Sequence, residues 1–306
     1  MTSPNFYFRD AVVVRNELTK RQEKQIRKMY NKWASEVRQE AKRLSSTPGS
    51  LQEAREMTKL YYQLRQGSKQ LSDEINNKVT SNLNDMGSAV VRVNQRWLKS
   101  LGLSSEGLDT KMSVSKDLAI RSILTGNLYQ TNEPLSNRVW DITSANMQDI
   151  NNIIAYGIAV NQSPRDIAKQ LERYLKPENS LGWSIRQYTD KYGIKRFAQV
   201  HNNIVDWRAQ RFARTALQHA YQQTLVALTK DNPFVSGYIW HADGANACKL
   251  CMDRDGRFYT PSELPLDHPN GQCDFEVAID EEKAMNDLAG FYENPILYPD
   301  IQRWVE

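Results

Sequence analysis

Apolar side chains recur with a helical period through the first third of the chain. Between residue 9 and about residue 45, Leu18, Ile26, Tyr30, Trp33, Val37, Ala41 and Leu44 fall almost entirely at separations of three or four, which predicts one amphipathic helix. Ser45-Ser-Thr-Pro-Gly-Ser50 ends it with turn formers. A second helical stretch, from about Leu51 to Leu98, carries Leu71, Ile75, Val79, Leu83, Met86, Val90 and Trp97 on its stripe, with Gly67-Ser68 as a point of interruption. Two long helices in succession predict an antiparallel hairpin or stalk.

Beyond it, Gly102 to Ser113 reads as a polar linker, followed by helices over Ser115–Leu124 and Ser136–Val160. Ser163-Pro164-Arg165-Asp166 combines an N-cap, a proline at the first helical position and a carboxylate three residues on, and opens a helix to about Leu175. Lys176 to Trp183 reads as a loop, and Ile204 to Lys230 as a helix with Trp207, Phe212, Ala216, Ala220, Leu225 and Leu228 along or near one face. The period then changes to two. Val235–Trp240, Arg257–Thr260 and Cys273–Ile279 predict three strands of a small antiparallel sheet. A short helix over Glu281–Ala289 precedes an aromatic tail, Phe291 to Glu306, which docks on this chain or on a partner because Tyr292, Tyr298 and Trp304 are costly to leave bare.

The expected fold class is therefore α+β: an elongated, mainly helical N-terminal region followed by a small antiparallel β module. The expected division is a long basic helical hairpin over 1–100, a helical domain over 101–230, the β module over 231–282, and a helix end with aromatic tail over 283–306. No run of eighteen apolar residues is present, so no membrane span is expected. The first residues lack the basic-then-apolar order of a secretory signal, and the few, clustered cysteines suit a reducing cytoplasm.

Charge alters the picture only at the N-terminal end. Residues 1–100 hold 19 Lys and Arg against 10 Asp and Glu, a net +9, whereas the whole chain, with 40 against 36, is only +4. The basic residues are densest at Lys20, Arg21, Lys24, Arg27, Lys28 and Lys32, then Arg38, Lys42 and Arg43. Interleaved with Glu23, Glu36 and Glu40, they read first as a solvated helix face and second as a surface for phosphate or an acidic protein.

The candidate chemistry sits near the end. All three cysteines, Cys248, Cys251 and Cys273, lie in one short stretch with His268 between them, in the order C-x2-C, sixteen residues, His, four residues, Cys. That spacing suits a four-coordinate Zn2+ site of the Cys3His type. Four good ligands fill a tetrahedral shell and leave no position for a reacting water, so the metal reads as a staple, contributing on the order of 10 kcal/mol to a small module. Arg254-Asp-Gly-Arg257 and Pro269-Asn-Gly271 are the turns that fold it. His241 reads as a hydrogen-bonded surface group, and His201 and His219 belong to no motif. Arg214 and Thr215 are candidates to brace the knuckle from their helix.

The order of these pieces resembles the head-morphogenesis domain of tailed-phage minor head proteins, the Mu F-like family. That pattern is a helix with Ala-Arg-Thr-Glu, a strand with Trp, an Asp-x-Arg-x-Cys-x-x-Cys knuckle, a Gly turn and His-Pro-x-Cys-x-Cys. Here Phe212-Ala-Arg-Thr-Ala216, Trp240, Cys248 and Cys251, Asp255-Gly256 and His268-Pro-Asn-Gly-Gln-Cys273 stand in that order. The chain departs at Ala216, in place of the acid; at Gly244, in place of Asp, with Asp243 one residue early; at Asn246, in place of Arg; and at Gly271, in place of a cysteine. None of these removes a candidate ligand. The resemblance spans about Arg211 to Asp280.

It implies a minor capsid protein of the virion, assembled in the host cytoplasm. Such a protein binds the phage portal protein or the capsid interior and assists procapsid assembly and DNA packaging or ejection. Its N-terminal basic helices would make any contact with packaged DNA, without sequence preference. No catalytic residue is implied. Two other readings are a metal-dependent HNH-like nuclease built on Asp267-His268, and a zinc-containing DNA-binding protein. The first wants a further histidine after His268, which the chain lacks; the second wants a basic reader helix, whereas Asp280-Glu-Glu-Lys-Ala-Met285 is acidic. A nucleoside deaminase wants a proline where Ala247 stands and a glutamate where Asp243 stands.

Overall fold

The computed structural model describes residues 3–44, 51–176, 183–189, 195–201, 205–244 and 247–306. The turn expected at 45–50 and most of the loop expected at 176–183 lie outside them. The helices are α1 (Pro4–Arg43), α2 (Leu51–Ser100), α3 (Glu106–Thr125), α4 (Leu135–Ala159), α5 (Pro164–Leu175), α6 (Trp207–Thr229), α7 (Lys249–Arg254), α8 (Glu281–Glu293) and α9 (Pro299–Val305). The strands are β1 (Trp183–Thr189), β2 (Lys195–His201), β3 (Val235–His241), β4 (Phe258–Tyr259) and β5 (Asp274–Ile279). Helix predominates among the described residues, so the class is α+β, mainly helical with a small β module. Packing groups the chain into two compact units, neither continuous in sequence: 1–21, 79–133 and 212–306 form one, and 22–78 with 134–211 the other.

In the second unit α1 and α2 run antiparallel, with Lys32 paired to Glu74 at 2.8 Å and Trp33 against Gly67. The stripe read from the sequence is the buried one: Ile26, Tyr30, Trp33 and Val37 on α1, Leu71 and Ile75 on α2. Gly67 does not interrupt α2. A Cβ there would lie 2.7 Å from Cδ1 of the Trp33 indole, so the glycine lets the helix backbone close on a large core side chain. The buried Tyr30 hydroxyl accepts from Asn146 Nδ2 at 2.7 Å. Ser163 caps α5, accepting from Asp166 N at 3.2 Å and donating to its carboxylate at 2.8 Å. The hairpin of β1 and β2 was not expected. Its strands pair antiparallel with Trp183 opposite His201, and Phe197 meets Tyr156 of α4 edge-on at 5.8 Å between ring centres.

In the first unit the same two helices again run antiparallel, joined by Asp10–Arg96 at 2.5 Å and Arg21–Asp85 at 2.8 Å. The expected linker over 102–113 is mostly helix. Ser105 accepts from Leu108 N at 3.1 Å and starts α3 at Glu106, nine residues before the expected start, and Leu108 and Met112 are buried.

The sheet has the order β4-β3-β5, all antiparallel, with Trp240 opposite Phe275 and Tyr238 opposite Val277. Those four side chains share one buried face, which packs on α6: Tyr221 stacks on Phe275 at 6.1 Å, and Thr229 Oγ1 lies 2.7 Å from the Tyr238 hydroxyl. Burying each of these large side chains contributes on the order of 2–3 kcal/mol. The outer edge of β5 is covered by the amide of Asn5, which accepts from Val277 N at 2.9 Å and donates to Glu276 Oε1 at 2.8 Å.

The aromatic tail docks on this chain. Tyr292 donates to Leu101 O at 2.6 Å, Trp304 meets Phe234 edge-on, and Ser105 Oγ donates to Val305 O at 2.7 Å. Ile296 and Leu297 of the same segment stay 81% and 71% exposed.

Candidate metal centre

The Cys-x-x-Cys knuckle forms a single helical turn. Cys248 is the N-cap of α7 and Cys251 its third residue, so the two thiols fall on one side of the first turn. Gly256, at φ 71°, then reverses the chain: its N–H donates to Trp240 O at 2.8 Å, and Trp240 N to Arg257 O at 3.0 Å, delivering the chain to β4. Cys273 stands immediately before β5. In the intervening turn the left-handed residue is Asn270, at φ 70°, and Gly271 N donates to His268 O at 2.8 Å.

This topology brings all four expected ligands together. The ligand atoms of Cys248, Cys251 and His268 lie within 4.8 Å of one another, as do those of Cys251, Asp267 and Cys273, so two triads share the Cys251 sulfur. The cluster could hold a metal ion. Asp267 is a fifth potential donor that the ligand spacing did not single out. His268 Nε2 sits 3.2 Å from Cys248 Sγ, and its Nδ1 lies 3.0 Å from Pro269 O. An Nδ1–H donated to that carbonyl leaves the Nε2 lone pair facing the cluster, the tautomer a metal ligand needs.

The electrostatics of the thiols differ. Burial, with Cys273 and Cys248 adjacent, pushes the Cys251 thiol far up, and burial also pushes Cys273 up. Cys248 is exposed, and the backbone amide of Cys251 beside its sulfur lowers it. The buried indole N–H of Trp240 has no oxygen or nitrogen partner among the described residues and lies beside the Cys273 sulfur, where it also favours the thiolate. Burial disfavours free thiolates at Cys251 and Cys273, and a bound cation would offset that penalty.

One face of α6 holds the second half of the cluster. Thr215 Oγ1 accepts from Asn270 N at 2.8 Å, and Arg214 donates to the Asn270 side chain. Gln218 Nε2 donates to Asp267 Oδ2 at 3.0 Å and to Cys273 O at 2.6 Å. His219 bridges Asp267 O and the Tyr129 hydroxyl, each at 2.9 Å, and Gln222 accepts from Asp267 N at 3.0 Å while donating to Pro265 O at 2.7 Å. Arg214, Gln218 and Gln222 follow one another at a spacing of four, with Thr215 and His219 beside them, so all five fall on one face of α6.

Arg214 and Thr215 therefore grip the His268–Cys273 turn, where the expectation was that they brace the knuckle. His219, assigned nothing from the sequence, is 2% exposed and part of this bracing. Arg15 adds a contact from α1: its buried guanidinium donates to Cys273 O at 3.1 Å and to Asp274 at 2.5 Å, over the ring of Tyr221. His241 pairs with Glu276 at 2.8 Å on the exposed face, outside the cluster, as expected of a surface histidine. His201 lies in β2, in the other unit. Asn246, a departure from the family pattern, lies outside the described residues.

Fold and site together define a mainly helical protein with a compact Cys/His module capable of holding a metal. Comparison of the chain with protein-family models, curated proteins and solved structures finds no match in any of the three.

Proposed function

We propose that Cys248, Cys251, His268 and Cys273 hold a structural Zn2+, and that the chain is a phage minor head protein of the Mu F-like head-morphogenesis kind. In this reading it resides in the phage head, binds the portal protein or the capsid interior, and assists procapsid assembly and DNA packaging or ejection. Three thiolates and an imidazole are a ligand set suited to tetrahedral zinc. The observation that carries the reading is the convergence of separated motif pieces on one cluster. Arg214 and Thr215 grip the His-Pro turn, Trp240 lies against Cys273, and Gly256 bonds back to Trp240. A module whose every part supports one staple suits a rigid protein-docking head.

Catalysis is not part of this reading. His268 sits in the ligand array at 3.2 Å from Cys248, where it serves a metal and not a water. DNA contact is secondary. Arg15 is buried, and Arg21, Arg27, Lys32 and Arg38 face Asp85, Asp206, Glu74 and Glu172. The pairs exposed on both sides, Arg21–Asp85 and Lys32–Glu74, are worth only about 0–1 kcal/mol, so phosphate competes for those cations at low salt and loses at high salt. No helix among the described residues is long and apolar enough to cross a membrane.

The test is co-expression with the portal and capsid proteins encoded in the same genome, followed by sedimentation of the assembled heads and metal analysis of the purified chain. About one zinc per chain and co-sedimentation with portal-containing heads are expected. Metal-dependent DNA cleavage by a chain that stays free of heads would replace this reading with the nuclease one.

A further inference from the structure

We propose that Asp267 positions the metal ligands and is not itself one of them; this rests on the metal reading above. Its carboxylate lies close enough to Cys251 and Cys273 for either role. The side chain is 2% exposed and is engaged at both oxygens. Oδ1 accepts from His268 N at 2.8 Å; Oδ2 accepts from Cys273 N at 3.2 Å and from Gln218 Nε2 at 3.0 Å. One carboxylate thus gathers the backbone amides of both ligands in the second half of the site. It sets their separation whether or not an ion is present.

The residue is itself anchored along its backbone. Its N–H goes to Gln222 and its carbonyl meets His219, so the bracing runs from α6 through Asp267 to His268 and Cys273. Gly271 completes the arrangement, since a Cβ there would run into the Asp267 carboxyl group. Glycine at this position, where the family pattern has a cysteine, keeps the space the carboxylate occupies. Four sulfur and nitrogen donors already make up a full tetrahedral set, so the carboxylate's remaining work is orientation.

The experiment uses the full chain as wild type, Asp267→Asn and Gly271→Ala. Asp267→Asn presents an amide to two N–H donors in place of one acceptor oxygen. Gly271→Ala displaces the carboxylate while leaving every ligand and the carboxylate itself in the chain, and carries the test should Asp267→Asn fail to fold. Each protein is titrated with Co2+, whose visible bands report the ligand set, and then with Zn2+ against a chromophoric chelator. Both variants are expected to keep the wild-type cobalt bands in position and intensity while binding Zn2+ about 10–100-fold more weakly. Altered cobalt bands in Asp267→Asn would make the carboxylate a ligand, and zinc affinity unchanged within about twofold in both variants would remove its positioning role. A wild type that binds neither metal would instead overturn the underlying site.

Discussion

Cys251 and Cys273 are thiols that burial holds protonated, yet a metal needs both as thiolates. The two demands give opposite pH dependences. Without metal, the folded chain keeps protons on these sulfurs that the unfolded chain releases above the ordinary thiol value of 9.0, so metal-free stability falls as pH rises through and beyond that value. With metal, protons compete for the ligands, so stability falls as pH drops. In thermal unfolding, chelated protein is expected to lose stability as pH rises from about 9 to 10 and zinc-loaded protein to lose it as pH falls toward about 6; chelated protein that gains stability above about pH 9, or a zinc-loaded one indifferent to acid, would contradict the site. At this scale the Cys/His cluster was legible because the spacing of its residues is local. Gln218 was not, since it meets Asp267 across 49 residues, and Arg15 was not, since it meets Cys273 across 258.

Among the elements, those with a strong period came out as read: the stripes of α1 and α2, the capped start of α5, and the three strands of the sheet. The start of α3 was misread because Gly107 and the polar residues around it resemble a linker, although Ser105 carries the cap. The hairpin of β1 and β2 was missed because its alternation is weak, with Gln199 standing opposite Ile185. Gly67 is the instructive case. In an open helix face Gly→Ala gains about 1 kcal/mol, but overpacking a core costs about 1–3 kcal/mol. Trp33 is 3% exposed and has no room to give, so overpacking wins. Gly67→Ala is expected to lower stability by on the order of 1 kcal/mol in urea unfolding. A variant as stable as wild type would mean that the indole relocates without cost.

For the whole molecule, the unit that carries the Cys/His cluster is assembled from three stretches of chain, and the first 21 residues belong to it. Asn5 covers the edge of β5 and Arg15 reaches the carbonyl of Cys273, so the start of the basic helix is structural before it is anything else. Chelating the metal is expected to speed amide hydrogen exchange in the sheet, α7 and the 264–273 turn while α4 and α5 keep their protection. Equal loss of protection everywhere, or none, would show that the ion does not stabilise this unit in particular.

The sequence by itself determined what short-range rules govern: the long amphipathic helices, the cap at Ser163, the strands after residue 235, and the four side chains able to ligate a metal. Hydrophobic period and ligand spacing act over a few residues, so they can be read along the chain. Only the tertiary structure decided that one face of α6 grips the His-Pro turn, that Asp267 gathers the backbone amides of His268 and Cys273, and that the head of α1 packs beside β5. Those outcomes depend on which distant segments share one core, and a buried polar group finds its partner only after the packing has chosen its neighbours.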